Sequence, residues 1–170
     1  MLVIRQVLRA EPAILSALSE LLIDSVHNGA SVGFLAPLTK ETAEKYWQKV
    51  FAALNDDLAL WVAESDGQVV GSVQLDPCQK QNGRHRAEIQ KLFVLKAFRG
   101  QSISSKLMAA AETFARNNKH TLLVLDTLSG TFAETVYQHL GWQRGGEIPQ
   151  YAATPDGVLH ATVYYYKLLT

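Results

Sequence analysis

The stretch Arg86–Asn117, RAEIQKLFVLKAFRGQSISSKLMAAAETFARN, constrains the fold of this chain more than any other. It opens on Ala87–Leu95, short and apolar enough for an interior strand. It then passes through Phe98-Arg99-Gly100-Gln101 into Ile103, Leu107, Ala111 and Phe114, the spacing of one helix face. A strand is expected to become a helix across one tight, glycine-containing turn. The first N–H groups of such a helix lack partners within it, and the positive end of its dipole lies there. A phosphate-bearing ligand is the natural guest.

Around this pivot the chain reads as alternating elements. Leu2–Leu8 suits a strand, and Pro12 suits the first turn of a helix carrying Ile14, Leu18, Leu21, Leu22 and Val26 that stops at Asn28-Gly29. After a glycine-containing loop, Thr39 caps a second helix bearing Ala43, Trp47, Val50 and Leu54. Leu58–Glu64 and Gln68–Leu75 form a hairpin about Asp66-Gly67. Beyond the pivot, Thr121–Asp126 reads as a buried strand ending in a carboxylate. A strand, crossover helix and strand make a right-handed parallel unit, so Asp126 belongs beside Glu88–Leu95, at the strand end where ligands of open α/β sheets gather. Gly130–Leu140 is a short helix with Phe132, Val136, Tyr137 and Leu140, and Leu159–Leu168 a last strand after the turn Thr154–Gly157. The expected fold is α/β: one domain over 1–170, with a mixed sheet flanked by helices.

Composition narrows the function. Sixteen basic and sixteen acidic side chains cancel, so no large positive field argues for nucleic acid or an anionic membrane. No run reaches about 18 apolar residues and the N-terminus lacks a signal-peptide pattern, which leaves cytoplasm as the expected compartment. A single cysteine, Cys78, excludes an intrachain disulfide framework and reads as a bystander, not a nucleophile. Five histidines are scattered without ligand spacing, and no metal site is expected. A small-molecule partner fits this balance; oligomeric state is open.

Leu92-x-Val94, then Arg99-Gly100-x-x-Ile103, then Ala133-x-x-x-Tyr137-x-x-x-Gly141-Trp142 resemble the core of the GCN5-related N-acetyltransferase (GNAT) superfamily, whose members bind acetyl-CoA. The resemblance implies two parallel strands that splay apart, with Leu92, Phe93 and Val94 offering backbone to the pantetheine arm. Arg99, Gly100, Gln101, Ser102, Ile103 and Ser104 would form the pyrophosphate loop. That loop usually reads R/Q-x-x-G-x-G/A, and Ser102 and Ser104 stand at its two small positions. Gly130 stands where many members have asparagine. Val32, Gly33 and Phe34 become candidate substrate contacts, with a core-plugging Phe34 the competing reading. Asp126, or else Glu88, is the implied proton acceptor for the attacking amine, and Tyr137 the phenol that protonates the departing sulfur.

Further segments, Gly29–Phe34, Cys78-Gln79-Lys80, Arg86-Ala87-Glu88, Leu125-Asp126-Thr127 and Gly146–Gly157, are similar to the tabtoxin-resistance type of acetyltransferase. That group acetylates an amine of a β-lactam-containing amino-acid toxin, which implies a small amino-acid-like acceptor. A CoA-binding sensor or degenerate protein without turnover is the alternative, and its support is the pair of serines in the loop.

Overall fold

The computed structural model describes residues 1–55 and 57–170. In chain order its elements are β1 (Leu2–Val7), α1 (Pro12–His27), α2 (Lys40–Ala53), β2 (Ala59–Ser65), β3 (Gln68–Pro77), β4 (Arg86–Val94), α3 (Ile103–Asn117), β5 (Leu122–Leu128), α4 (Phe132–His139), β6 (Gln143–Ala153) and β7 (Leu159–Leu168). The strands make one sheet in the order β1-β2-β3-β4-β5-β7-β6. Every pairing is antiparallel except β4 with β5.

Local chemistry accounts for the element ends. Pro12 sits in the first turn of α1, and the Thr39 hydroxyl accepts from the Thr42 N–H at 3.2 Å to start α2. Asp66 and Gly67 both take positive φ, 49° and 84°, as a type I′ hairpin turn requires. Helices cover both faces of the sheet. On one, α1 and α2 bury Leu18, Leu21, Leu22 and Trp47 against Leu60 and Val62; on the other, α3 buries Leu107, Met108 and Ala111 against Val73, Leu75 and Ile89. Gly71 permits this second contact: a Cβ there would lie 2.8 Å from the Phe93 carbonyl oxygen and 3.1 Å from Leu107.

Two irregularities in β4 create the site. Its parallel pairing with β5 runs only through Arg86↔Leu122, Ala87↔Leu123 and Glu88↔Val124. Beyond Glu88 the strands part, leaving the β5-facing edge of β4 without a strand partner among the described residues. On the other edge, pairing passes from Gln74↔Gln90 to Ser72↔Phe93, so Val73 spans the two residues Lys91 and Leu92. This is a β-bulge, and Lys91 takes the left-handed φ of 52° within it. The extra residue reverses the strand's alternation: Ala87 and Ile89 face α3, yet Phe93 packs among α1 and α2.

Several expectations need correction. The strand carrying Asp126 continues to Leu128, so the carboxylate sits inside β5 and not at its end. A 3₁₀ turn, Lys96–Phe98, separates β4 from α3, where a single tight turn was expected. Strand β6 was not anticipated at all. It is an exposed edge strand containing Gly145, Gly146 and Pro149, with Gln150 at φ 51° and two breaks of register against β7, and those residues hide a strand pattern. The short final helix starts at Phe132, which is 78% exposed and belongs to no core.

Candidate active site

The opening between β4 and β5 is part of a cleft of about 1020 Å³. Arg99, Gly100, Ser102, Ile103 and Ser104 line it at the start of α3; Leu92, Phe93, Val94 and Tyr137 line its middle; Val32, Gly33, Glu88, Asp126 and Tyr151 also reach it. Most sequence-selected residues therefore meet around one space. Gln101 and Phe34 lie outside the lining. Phe34 packs edge-on against Tyr46, ring centroids 5.5 Å apart, which is the core-plugging role weighed against substrate contact.

At the start of α3, Gly100 and Ser102 both adopt left-handed backbone, φ 78° and 59°. Ser102 is the N-cap residue, and its hydroxyl makes no capping hydrogen bond. The first helical bond is Lys106 N–H to the Ser102 carbonyl at 3.2 Å, so the N–H groups of Ile103, Ser104 and Ser105 have no partner among the described residues and can take an acceptor from outside. Position 102 favours glycine because of its φ, which is the physical reason the usual loop pattern has glycine there. Acetyl-CoA fits this end: an uncapped helix start with Arg99 beside it, opening on an unpaired strand edge.

The other end is walled by the loop between α1 and α2. The hydrogen bonds that hold that loop include Leu38 N–H to His27 Nε2 (3.1 Å), Ala36 N–H to the Pro155 carbonyl (2.9 Å), Ser31 Oγ to the Ala153 carbonyl (3.5 Å), and Lys91 Nζ to the Val32 carbonyl (2.7 Å). The Ser31 bond ties it to the end of β6 and the Ala36 bond to the β6–β7 connection. Sequence reasoning missed these partners and missed Lys91, because a lysine inside an apolar strand gives no sign that a bulge will turn it toward the cleft. Tyr151, whose hydroxyl lies 2.8 Å from that of Tyr164, was missed together with its strand.

The titratable groups divide by environment. Asp126 is exposed to the cleft and accepts from the buried Thr162 hydroxyl at 2.9 Å. Glu88 is half-buried, and burial, followed by the nearby charge of Asp126, holds its carboxyl above the ordinary carboxylate value. Burial likewise pushes the Tyr137 phenol up to about 12, with the Asp126 charge adding to the effect. Its hydroxyl has no protein hydrogen-bond partner among the described residues, and it is not one of the sealed-off polar atoms. It therefore opens on the cleft as a neutral proton donor. Lys91 is pushed down by burial and partly restored by Asp126 and Glu88. Cys78 lies away from the cleft lining.

Comparison with known proteins agrees with this geometry. Residues 23–142 match the family model of the acetyltransferase (GNAT) family. N-acetyltransferase 8 of Rattus norvegicus is 34% identical over 130 residues, which are 67% of this chain and 59% of that protein. The chain thus spans less than two thirds of that relative. Among solved structures, ribosomal-protein-alanine N-acetyltransferase from Brucella melitensis superposes with a TM-score of 0.81 at 25% identity, over 98% of this chain and 99% of its own. The yncA protein of Salmonella typhimurium, whose structure holds its cofactor acetyl-CoA, superposes with a TM-score of 0.81 at 19% identity over 100% and 95% of the two chains. With a matched segment that runs from α1 past α4 and a sheet that opens between β4 and β5, this chain belongs to the acetyltransferase (GNAT) family.

Proposed function

We propose that the protein is an acetyl-CoA-dependent N-acetyltransferase acting on the amine of a small, amino-acid-like acceptor, of which a toxin or antibiotic is one kind. The observation that carries this reading is the convergence on one cleft of an uncapped helix start, an unpaired β4 edge, two carboxylates and a neutral buried phenol. The similarity of Gly29–Phe34 and Gly146–Gly157 to the tabtoxin-resistance type supports the acceptor class, and the hydrogen bond from Ser31 Oγ to the Ala153 carbonyl joins those two segments at one wall of the cleft.

Acetyl-CoA supplies the activated thioester. Arg99, Gly100, Ser102 and the first N–H groups of α3 would hold its phosphates, with Gln101, Ile103 and Ser104 completing the loop; Leu92, Phe93 and Val94 would hold its arm. The acceptor must attack as a free amine. As the N–C bond forms and the C–S bond breaks, Glu88 or Asp126 takes the amine proton and Tyr137 gives a proton to the sulfur. Burial raises the proton affinity of the Glu88 carboxyl above the ordinary carboxylate value, and Asp126 presents an exposed carboxylate to the cleft. Val32 and Gly33 border the acceptor.

The test is release of free thiol when the protein meets acetyl-CoA and a panel of small amines, with acetyl-CoA affinity measured by calorimetry. Amine-dependent thiol release is expected. Binding without turnover on any amine would favour the sensor reading, and no binding would overturn both.

A further inference from the structure

Among the residues lining the cleft, Lys91 is the only lysine, and the β4 bulge places it there. Its left-handed φ of 52° is a conformation that β-strand lysines avoid at a cost of roughly 1–2 kcal/mol. An ammonium carries three N–H donors. One goes to the Val32 carbonyl at 2.7 Å; the Tyr46 ring centroid lies 5.8 Å away; and among the described residues no carboxylate forms a salt bridge with it. Gly33 presses little on the head group, since even an added Cβ there would stay 3.6 Å from Nζ. Two donors are therefore left toward the cleft, where Glu88 and Asp126 supply negative charge. That lining is dipolar, and a dipolar guest complements it.

We propose that Lys91 is a specificity-determining residue that binds the carboxylate of a zwitterionic acceptor whose amine faces Glu88 and Asp126. This rests on the acetyltransferase reading above. A cation that held only the loop would need no preference among acceptors. A cation that reads a carboxylate separates amino acids from their amides, because the amide offers no charge to the ammonium.

The experiment compares free amino acids with their C-terminal amides as acceptors, following thiol release in the parent, in Lys91→Met and in Lys91→Gln, which keeps an N–H donor for Val32. In the parent, kcat/KM is expected to favour the free acid at least tenfold. In both variants the acid-to-amide ratio should fall by about ten- to a hundredfold. An equal loss on acids and amides would overturn the proposal and leave Lys91 as a loop strap. So would a parent without preference, or a parent that binds acetyl-CoA by calorimetry yet acetylates neither class. Absence of acetyl-CoA binding would instead remove the acetyltransferase reading, and this proposal with it. Should Lys91→Met lose its folded circular dichroism, the ratio in folded Lys91→Gln decides; if both unfold, the parent's acid-to-amide ratio decides.

Discussion

The hydroxyl of Thr162 on β7 donates to the Asp126 carboxylate on β5 at 2.9 Å. The same hydroxyl lies 3.0 Å from the Thr127 carbonyl oxygen, so it bridges a cleft carboxylate to the backbone of its own strand. Thr162 is only 5% exposed, which fixes the donor by packing. Asp126 is thereby held at a set position although its side chain meets solvent. Thr162→Val should lower kcat/KM for the acceptor by about tenfold, the worth of one charge-assisted hydrogen bond, with acetyl-CoA affinity unchanged by calorimetry. Asp126→Asn, which removes the charge itself, should cost more. The double variant should be no worse than Asp126→Asn alone, because the threonine acts through the carboxylate. Full activity in Thr162→Val would show that this bridge does not matter to the acceptor.

Ser102 gives a prediction with two independent readouts. A non-glycine residue in left-handed backbone costs roughly 1–2 kcal/mol, and glycine returns about 0.5–1 kcal/mol of that as unfolded-chain entropy. Ser102→Gly should therefore stabilise the fold by up to about 1 kcal/mol in chemical denaturation. It should also tighten acetyl-CoA binding, since loss of the Cβ lets the phosphates approach the N–H groups of α3. Unchanged or weaker binding by calorimetry would mean that the serine hydroxyl compensates for its own bulk.

How much of this was legible beforehand depended on whether a residue's effect was local. The Asp66-Gly67 hairpin and the Thr39 cap follow from contacts a few residues apart, and both appear where the sequence puts them; the strand and helix of the pivot do too, with a 3₁₀ turn between them. The splay between β4 and β5 was expected only through a family resemblance; nothing in Ile89 or Leu125 announces that their strands stop pairing. The Lys91 bulge depends on how β3 opposes β4, and the Ser31–Ala153 contact spans 122 residues. Strand β6 was invisible for a different reason. Its partner is a single neighbour, β7, and its side chains are mostly exposed, so no buried face imposes an alternating pattern on Gln143–Ala153. Long-range pairing decided those features, and composition does not encode it.

Glu88 ties activity and stability to pH with a definite sign. Burial and the Asp126 charge raise its folded-state value above the ordinary 4.5. The folded protein thus holds this proton more tightly than the unfolded chain does. The associated stability is fully present below the ordinary value and is lost as pH rises through the folded one. Glu88→Gln, which cannot ionise, should raise the thermal midpoint at pH 7, and the gain should vanish below about pH 4. Activity should move the opposite way: parent kcat/KM rises with pH as Glu88 loses its proton, and the variant loses that limb. A variant that keeps the same acid limb would transfer the base role to Asp126.

Tyr137 is the sharpest test of the chemistry, because its ring and its hydroxyl have separable jobs. The ring is 8% exposed and packs at 6.2 Å from Trp142 and 6.1 Å from Tyr165, centroid to centroid, so its removal would leave a cavity. The hydroxyl, with no protein hydrogen-bond partner among the described residues and a pKa near 12, stays protonated throughout the neutral range. Tyr137→Phe keeps the packing and deletes the proton. The fold should hold, with acetyl-CoA affinity near that of the parent. Turnover should fall by about 10²- to 10⁴-fold where acetyl transfer limits the rate, the usual range for a general acid. A thiolate can also depart without help, which is why loss of the donor slows the reaction instead of abolishing it. Pre-steady-state measurement of acetyl transfer checks this directly: an unchanged rate in a folded variant would exclude Tyr137 as the acid and hand the role to water or to the acceptor's own ammonium.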